Sequence, residues 1–499
     1  GAAALLGAGI ALLATATVHA AAPEVPFPPV AVAEAIVRAT PGSVATFSIE
    51  RLGHLAQPIL VIATTAGFLA LSWALGRFLP RLARVLRTGP FATAAVLGAP
   101  IAAVAVAAME PSPTTVGRGT YSLVMLGALG VAAAGTAWRP GGRASPRPDV
   151  RAGPDAPRRE VLVGLVVGGV SLAVGWTGLG RALFGRSDPG GSPLEVRASG
   201  PPIRVGGGFD AIPGLAPAVT PTGDFYVVDT ALFDPVVDVD GWTLSVGGLV
   251  DRPFRLGYEE LLDQPAVELV STLECISNEV GGDLISTARW TGVPVRALLE
   301  RAGVREGAVE VVATSVDGYA DSITLDEAMR EHSLVVVGMN GVSLPREHGF
   351  PARLLVPGLY GMKQPKWIGS IELVDRPFVG YWERRGWSKA AIVKTMSRVD
   401  TQASDATRTV VAGVAFAGDR GISRVEVSLD AGATWVDADL EAPLSPLSWR
   451  RWRFELRPED VGGSSLVVRA TDGEGRVQEQ AVAPPHPDGA SGYHTLDLG

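Results

Sequence analysis

The sequence predicts a multidomain chain: an N-terminal bundle of transmembrane helices, a central α+β domain and a C-terminal β-sandwich. Three observations predict it. The first third is apolar in stretches of membrane-crossing length. From about residue 221, short strand-like runs alternate irregularly with short amphipathic helices. From about residue 396, strict apolar–polar alternation takes over. At 499 residues the chain also exceeds what one core supports.

The membrane region is assigned to 1–180. Charged residues make up only 19% and mean hydropathy is +0.25, against about 25% charge in an ordinary soluble protein. The deficit sits in five apolar segments, 2–20, 56–79, 91–109, 119–138 and 161–180, each long enough to cross a hydrocarbon core. Their small residues, as in 97–108 and 163–175, favour close helix packing. One connection carries Arg77, Arg81, Arg84 and Arg87. Another carries Arg139, Arg143, Arg147, Arg151, Arg158 and Arg159. Arginine-rich loops stay cytoplasmic. The expected location is therefore a bacterial cell membrane, crossed several times, with everything after about residue 180 on the extracytoplasmic side. Pro157-Arg158-Arg159-Glu160-Val161-Leu162 resembles a twin-arginine export signal, which suits a domain that takes up a cofactor before export. His19 and His54, near the outer ends of the first two segments, read as interfacial residues rather than haem ligands.

Residues 181–220 are rich in Gly, Pro and Ser and read as a linker. The α+β domain is expected over 221–392. Strand-like runs include 242–250, 266–275, 309–315 and 352–358, and amphipathic helical runs include 293–303 and 325–332. The net charge of -8 and the lack of a basic stripe argue against a nucleic-acid partner.

The chain has one cysteine, so no internal disulfide forms. Cys275 ends an apolar run and opens into the polar loop Ile-Ser-Asn-Glu-Val-Gly-Gly. A thiolate is a soft ligand suited to a transition metal. With no CxxC or Cys/His cluster, zinc and iron–sulfur are disfavoured. A metal here needs further ligands from a cofactor. Downstream, His348, Arg353, Lys363 and Lys366 fall among glycines and prolines, a setting that holds a phosphate by charge and by backbone N–H groups.

These segments resemble the sulfite oxidase family of molybdopterin enzymes. The likeness runs through the Cys275 loop, Ile285-Ser-Thr-Ala-Arg-Trp290, Met339-Asn-Gly-Val-Ser-Leu-Pro, His348-Gly-Phe-Pro-Ala-Arg353 and Pro365-Lys366-Trp367. It is nearest to bacterial membrane-bound members. The resemblance implies molybdenum held by Cys275 and by the pterin dithiolene. It implies cofactor contacts from Tyr226, Val227, Asp229, Asp317, His348, Arg353, Gln364, Pro365 and Lys366. It also implies oxygen-atom transfer on a small-molecule substrate. No CxxCH haem motif or dinucleotide fingerprint appears, so a separate electron carrier is expected, a quinone or a cytochrome.

The chain departs from the family at the substrate pocket. Val228-Asp229-Thr230 stands where sulfite oxidases carry Arg-Asn-His. Glu279 follows Asn278 where they carry Arg. Trp387, in Trp382-Glu-Arg-Arg-Gly-Trp387, takes the place of their active-site tyrosine and is assigned a catalytic position. Sulfite is a dianion, and a partly dry site needs compensating positive charge to bind it. The expectation is a neutral or cationic substrate: a sulfoxide, an N-oxide or an organic sulfur compound. Sulfite dehydrogenase activity is one alternative. A catalytically inactive pterin-binding or assembly subunit is another.

The alternating runs 409–418, 423–430, 448–456 and 465–472 predict an immunoglobulin-like sandwich over 393–485. By the resemblance this domain mediates homodimer contacts. Residues 486–499 read as a tail.

Overall fold

The computed structural model describes residues 32–33, 36, 40, 59–67, 69–70, 198–199, 208–230, 234–404, 408–456 and 465–498. Residues 59–67 and 69–70 are helical. The five apolar segments otherwise lie outside the described residues. Among the described residues no helix is long and apolar enough to cross a membrane. The chain divides into two units, 1–188 with 231–236, and 189–230 with 237–499. The second is built from four sheets.

The first sheet orders its strands β1 (Ala198–Ser199), β4 (Ala266–Glu274), β5 (Ile285–Pro294), β8 (Leu334–Met339) and β10 (Arg353–Leu355), with β9 (Val342–Ser343) hairpinned to β8. Only β1 and β4 pair in parallel. The second sheet runs β3 (Phe254–Gly257), β2 (Thr243–Gly248), β11 (Ile368–Val374), β6 (Glu310–Ser315) and β7 (Ala320–Thr324). Its β2–β11 pair is parallel.

All of β8 is buried, and its period-two alternation explains why. Val335 and Val337 join the core that Leu244, Leu298, Leu354 and Ile371 share between the sheets. Leu334 and Val336 point the other way, toward Phe225, Trp290 and Phe350. A strand buried on both faces reads as a continuous apolar run. Helix α1 (Tyr258–Leu262) follows β3. Helix α2 (Val295–Ala302) buries Val295, Leu298, Leu299 and Ala302, one helical stripe, and stops at Gly303 with φ +74°. Helix α3 (Leu325–Ala328) is closed by a capping box between Thr324 and Glu327.

The sandwich pairs β12 (Met396–Ser404), β13 (Thr409–Phe416), β17 (Arg450–Leu456) and β16 (Asp439–Leu440) against β15 (Val436–Asp437), β14 (Ile422–Ser428), β18 (Ser465–Asp472) and β19 (His494–Asp497). Trp452 is fully buried among Val411, Val425 and Val468. A junction cluster of Ile276, Tyr360, Trp387, Phe416 and Trp449 joins the sandwich to the α+β region.

Two expectations need correction. Residues 486–499 are not a tail: β19 pairs with β18, and Leu498 is buried. Apolar residues there are too sparse to signal a strand, yet the edge of β18 supplies its hydrogen bonds. The stretch 181–220 is not wholly a linker. Ala198 and Ser199 pair with β4, and Thr220 exchanges hydrogen bonds with Thr287 at 2.8 and 3.1 Å.

Candidate active site

Cys275 follows directly on β4, at the first position of the loop that returns as β5. The loop is closed across its neck. The Cys275 N–H donates to the Leu284 carbonyl at 2.9 Å, and the Asn278 N–H donates to the Cys275 carbonyl at 3.0 Å. Asn278 braces the interior by donating to Glu274 Oε1 and accepting from the Leu284 N–H, both at 3.0 Å. The thiol is buried, with Ser277 Oγ 2.9 Å from Sγ. Burial pushes its pKa up, partly offset by the Ser277 hydrogen bond. The thiol therefore keeps its proton at neutral pH. Burial also lifts the Glu274 carboxyl to about 7, and its Oε2 has no partner.

Around this loop stand groups that other segments supply. Tyr226 comes from the stretch after Phe225, its N–H held by Ser286 Oγ at 3.2 Å. Its hydroxyl is buried without a partner. Burial first, then the neighbouring Cys275, drives its pKa up, so its proton stays on the oxygen. A Cβ on Gly361 would stand 3.1 Å from that hydroxyl, which marks a close approach of backbone to site.

Arg353, the first residue of β10, is 4% exposed. Its Nη1 and Nη2 donate to the carbonyls of His348 and Gln364 at 3.2 and 3.4 Å, and its Nε has no partner. Burial lowers its pKa to about 10, so it stays charged at neutral pH. Among the described residues no ion pair is formed by this guanidinium, which is a costly arrangement unless an anion completes it.

His348 is buried, with Nε2 3.1 Å from the Thr222 carbonyl, and its ring meets Phe225 edge-on. Burial lowers its pKa to about 4, so it is neutral. Accepting by a carbonyl requires the proton on Nε2. Lys366 donates to the Glu347 carbonyl at 2.8 Å and pairs with Asp229. Asp317 accepts from the Tyr319 N–H at 3.0 Å. Burial raises its pKa, and the charge of Lys366 opposes that. Asp229, Asp317 and Lys366 therefore form one neighbourhood.

Four further expected residues have the following surroundings. The Gln364 amide is spent on backbone, accepting from the Val356 N–H at 3.1 Å and donating to the Leu359 carbonyl at 2.7 Å. The Pro365 carbonyl accepts from the Leu354 N–H at 2.9 Å. Val227 is 44% exposed. Trp387 lies in the junction cluster with Ile276 and Tyr360, edge-on to Trp382 and His486, with its Nε1 buried and unpartnered.

Sequence reasoning missed a buried charge cluster. Lys363 Nζ lies 2.8 Å from Asp321 Oδ1 and 2.5 Å from Glu383 Oε1, and Tyr319 Oη donates to the Met362 carbonyl at 2.6 Å. Burial lifts Asp321 to about 6, while Lys363 pulls it down. The signal available was a lysine among apolar residues, but its partners are far away in sequence.

A soft thiol, a buried guanidinium with a spare N–H, an unpartnered phenol and a close glycine suit a metal carried by an anionic organic cofactor. Comparison with known proteins agrees. Residues 231–382 match the profile of the oxidoreductase molybdopterin binding domain, and 388–483 that of the Mo-co oxidoreductase dimerisation domain. Rat mitochondrial sulfite oxidase is 30% identical over 302 residues, 50% of this chain and 55% of that protein. The uncharacterized oxidoreductase YuiH of Bacillus subtilis is 34% identical over 166 residues, 33% of this chain and 82% of its own. The sulfane dehydrogenase SoxCD of Paracoccus pantotrophus superposes with a TM-score of 0.51 at 22% identity, covering 61% of this chain and 92% of its own. That likeness carries the fold alone. The chain spans about half the length of the mitochondrial relatives, 55% for the rat enzyme.

Proposed function

This chain belongs to the sulfite oxidase family of molybdopterin-dependent oxidoreductases, and we propose that it moves an oxygen atom to or from a small non-sulfite substrate. A sulfoxide, an N-oxide or an organic sulfur compound fits. The observation that carries this reading is the charge around the buried Cys275 thiol. Lys363 is neutralised by Asp321 and Glu383, Lys366 is paired with Asp229, and the cysteine loop presents Glu279. A dianion entering a poorly hydrated site needs cations that are not already spent, and Arg353, which forms no ion pair among the described residues, is taken up by the anionic cofactor.

Cys275 would hold the metal and Arg353 the anionic pterin, with His348 and the Lys366–Asp229 pair lining the cofactor site. The bound molybdenum supplies two-electron oxygen-atom chemistry. The protein's part is to orient and to exclude water. Arg353 Nε is free to donate to an anionic cofactor, and the Tyr226 hydroxyl keeps a proton to donate beside the thiolate. Trp387, Tyr360 and Met362 close the sandwich side with apolar surface.

The catalytic region works on the extracytoplasmic side, tethered by the five apolar segments. The arginine-rich connections and the paired Arg158 and Arg159 support that placement. Electrons come from a separate quinone or cytochrome when an oxide is reduced and go to it when a sulfur compound is oxidised. The match of 388–483 to a dimerisation domain supports a homodimer.

The test is turnover by cofactor-loaded protein of dimethyl sulfoxide, trimethylamine N-oxide and sulfite under matched conditions. Faster turnover of either oxide is expected. Robust sulfite oxidation at micromolar concentration, with both oxides inert, overturns the substrate assignment.

A further inference from the structure

We propose that Arg398 and His494 of the sandwich are positioning residues that seat the loop carrying Cys275. The inference rests on the reading of Cys275 as the metal ligand, and it gives the C-terminal domain a role within the active site.

The inner half of the loop is braced by its own chain through Asn278. Its outer turn, Val280-Gly281-Gly282, is held from outside. Arg398 Nη1 donates to the Gly282 carbonyl at 2.7 Å. Arg398 is itself fixed, because its Nε donates to Asp400 Oδ1 at 2.6 Å and Asp400 Oδ2 accepts from the Ala216 N–H at 3.0 Å. These side chains are 12% and 5% exposed, so the pair is shielded from solvent. His494 is fixed separately, its Nδ1 accepting from the Val399 N–H at 3.0 Å. Its other edge lies against Gly281, where a Cβ would stand 2.6 Å from Nε2. Gly281 has φ +79°, so the turn needs glycine for its backbone as well as for this contact.

Arg398 belongs to β12 and His494 to β19, so each sheet of the sandwich contributes one contact. A charge-assisted hydrogen bond and a steric stop at the far end of a loop restrict where its first residue sits. A small misplacement of a metal ligand is costly to catalysis.

The experiment measures alkylation of Cys275 by iodoacetamide in the folded, cofactor-free full chain. The variants are Arg398→Met and His494→Leu, with Arg453→Met, from an exposed pair with Asp439, as control. The buried thiol reacts only when the loop opens. Removing either seat is expected to speed alkylation about tenfold, measured at a temperature where both variants remain folded, with the control unchanged. Parent-like alkylation in both folded variants overturns the proposal. If Arg398→Met fails to fold, His494→Leu decides by the same two outcomes. Molybdenum content of the loaded parent tests the functional reading separately. A parent without metal fails that reading, while the alkylation rates still decide whether the sandwich seats the loop.

Discussion

At the scale of residues, the site is a set of buried groups whose charge states are fixed by burial and by one another. His348 is held near pKa 4 by desolvation. A base whose folded pKa is depressed binds fewer protons folded than unfolded, so its contribution is complete above about 6.5 and is lost as pH falls toward 4. Glu274, raised to about 7, and Asp321, raised to about 6, act in the opposite sense. They bind more protons folded, and their contribution is lost as pH rises through those values. The cofactor-free His348→Gln protein should therefore lose stability as pH rises from about 4.5 to 7 more steeply than the parent. Melting temperature across that window checks it, and parallel profiles contradict it.

Arg353 gives a second expectation at this scale. A buried cation with a spare N–H is costly without an anion, so Arg353→Met should leave cofactor-free stability equal or higher. The same variant should retain pterin about tenfold less well. Pterin release after gel filtration and the apo melting temperature together test this. A destabilised apo variant that keeps its pterin contradicts it.

At the scale of elements, much of the fold was legible and some was not. The runs 242–250, 266–275 and 409–418 became strands β2, β4 and β13: β2 alternates buried and open positions, while the second half of β4 and nearly all of β13 are continuously buried and read as apolar runs. The position of Cys275 at a strand end was legible from the apolar run before it and the polar loop after it, and it follows directly on β4. The parallel pairings of β1 with β4 and of β11 with β2 were not legible, since nothing local records a distant partner. The same reason hid the Lys363–Asp321–Glu383 cluster and the commitment of Gln364 to the backbone, and it made β19 look like a tail. Gly413 shows the cost of such pairing. Its absent Cβ would stand 1.9 Å from the Arg398 carbonyl oxygen, beside the register shift between β12 and β13. Gly413→Ala should destabilise by about 2 kcal/mol or more, as overpacking against backbone does. Chemical denaturation reads this directly, and an unchanged midpoint contradicts it.

At the scale of the whole molecule, the α+β region and the sandwich share the second unit and a common apolar junction, and the Cys275 loop is held by both. The apolar first third is expected to hold this unit outside the cytoplasm. Replacing Arg158 and Arg159 with Lys should strand the catalytic domain inside, as seen by protease protection in spheroplasts. Unchanged export of that variant contradicts the export reading. The most direct test of the account is molybdenum and pterin content of protein purified from a host that makes the cofactor, alongside Cys275→Ser. Near one molybdenum per chain is expected, with activity in Cys275→Ser lowered by at least about a hundredfold, since even outer-shell changes cost up to that much. Folded protein that carries no molybdenum from such a host contradicts the central claim.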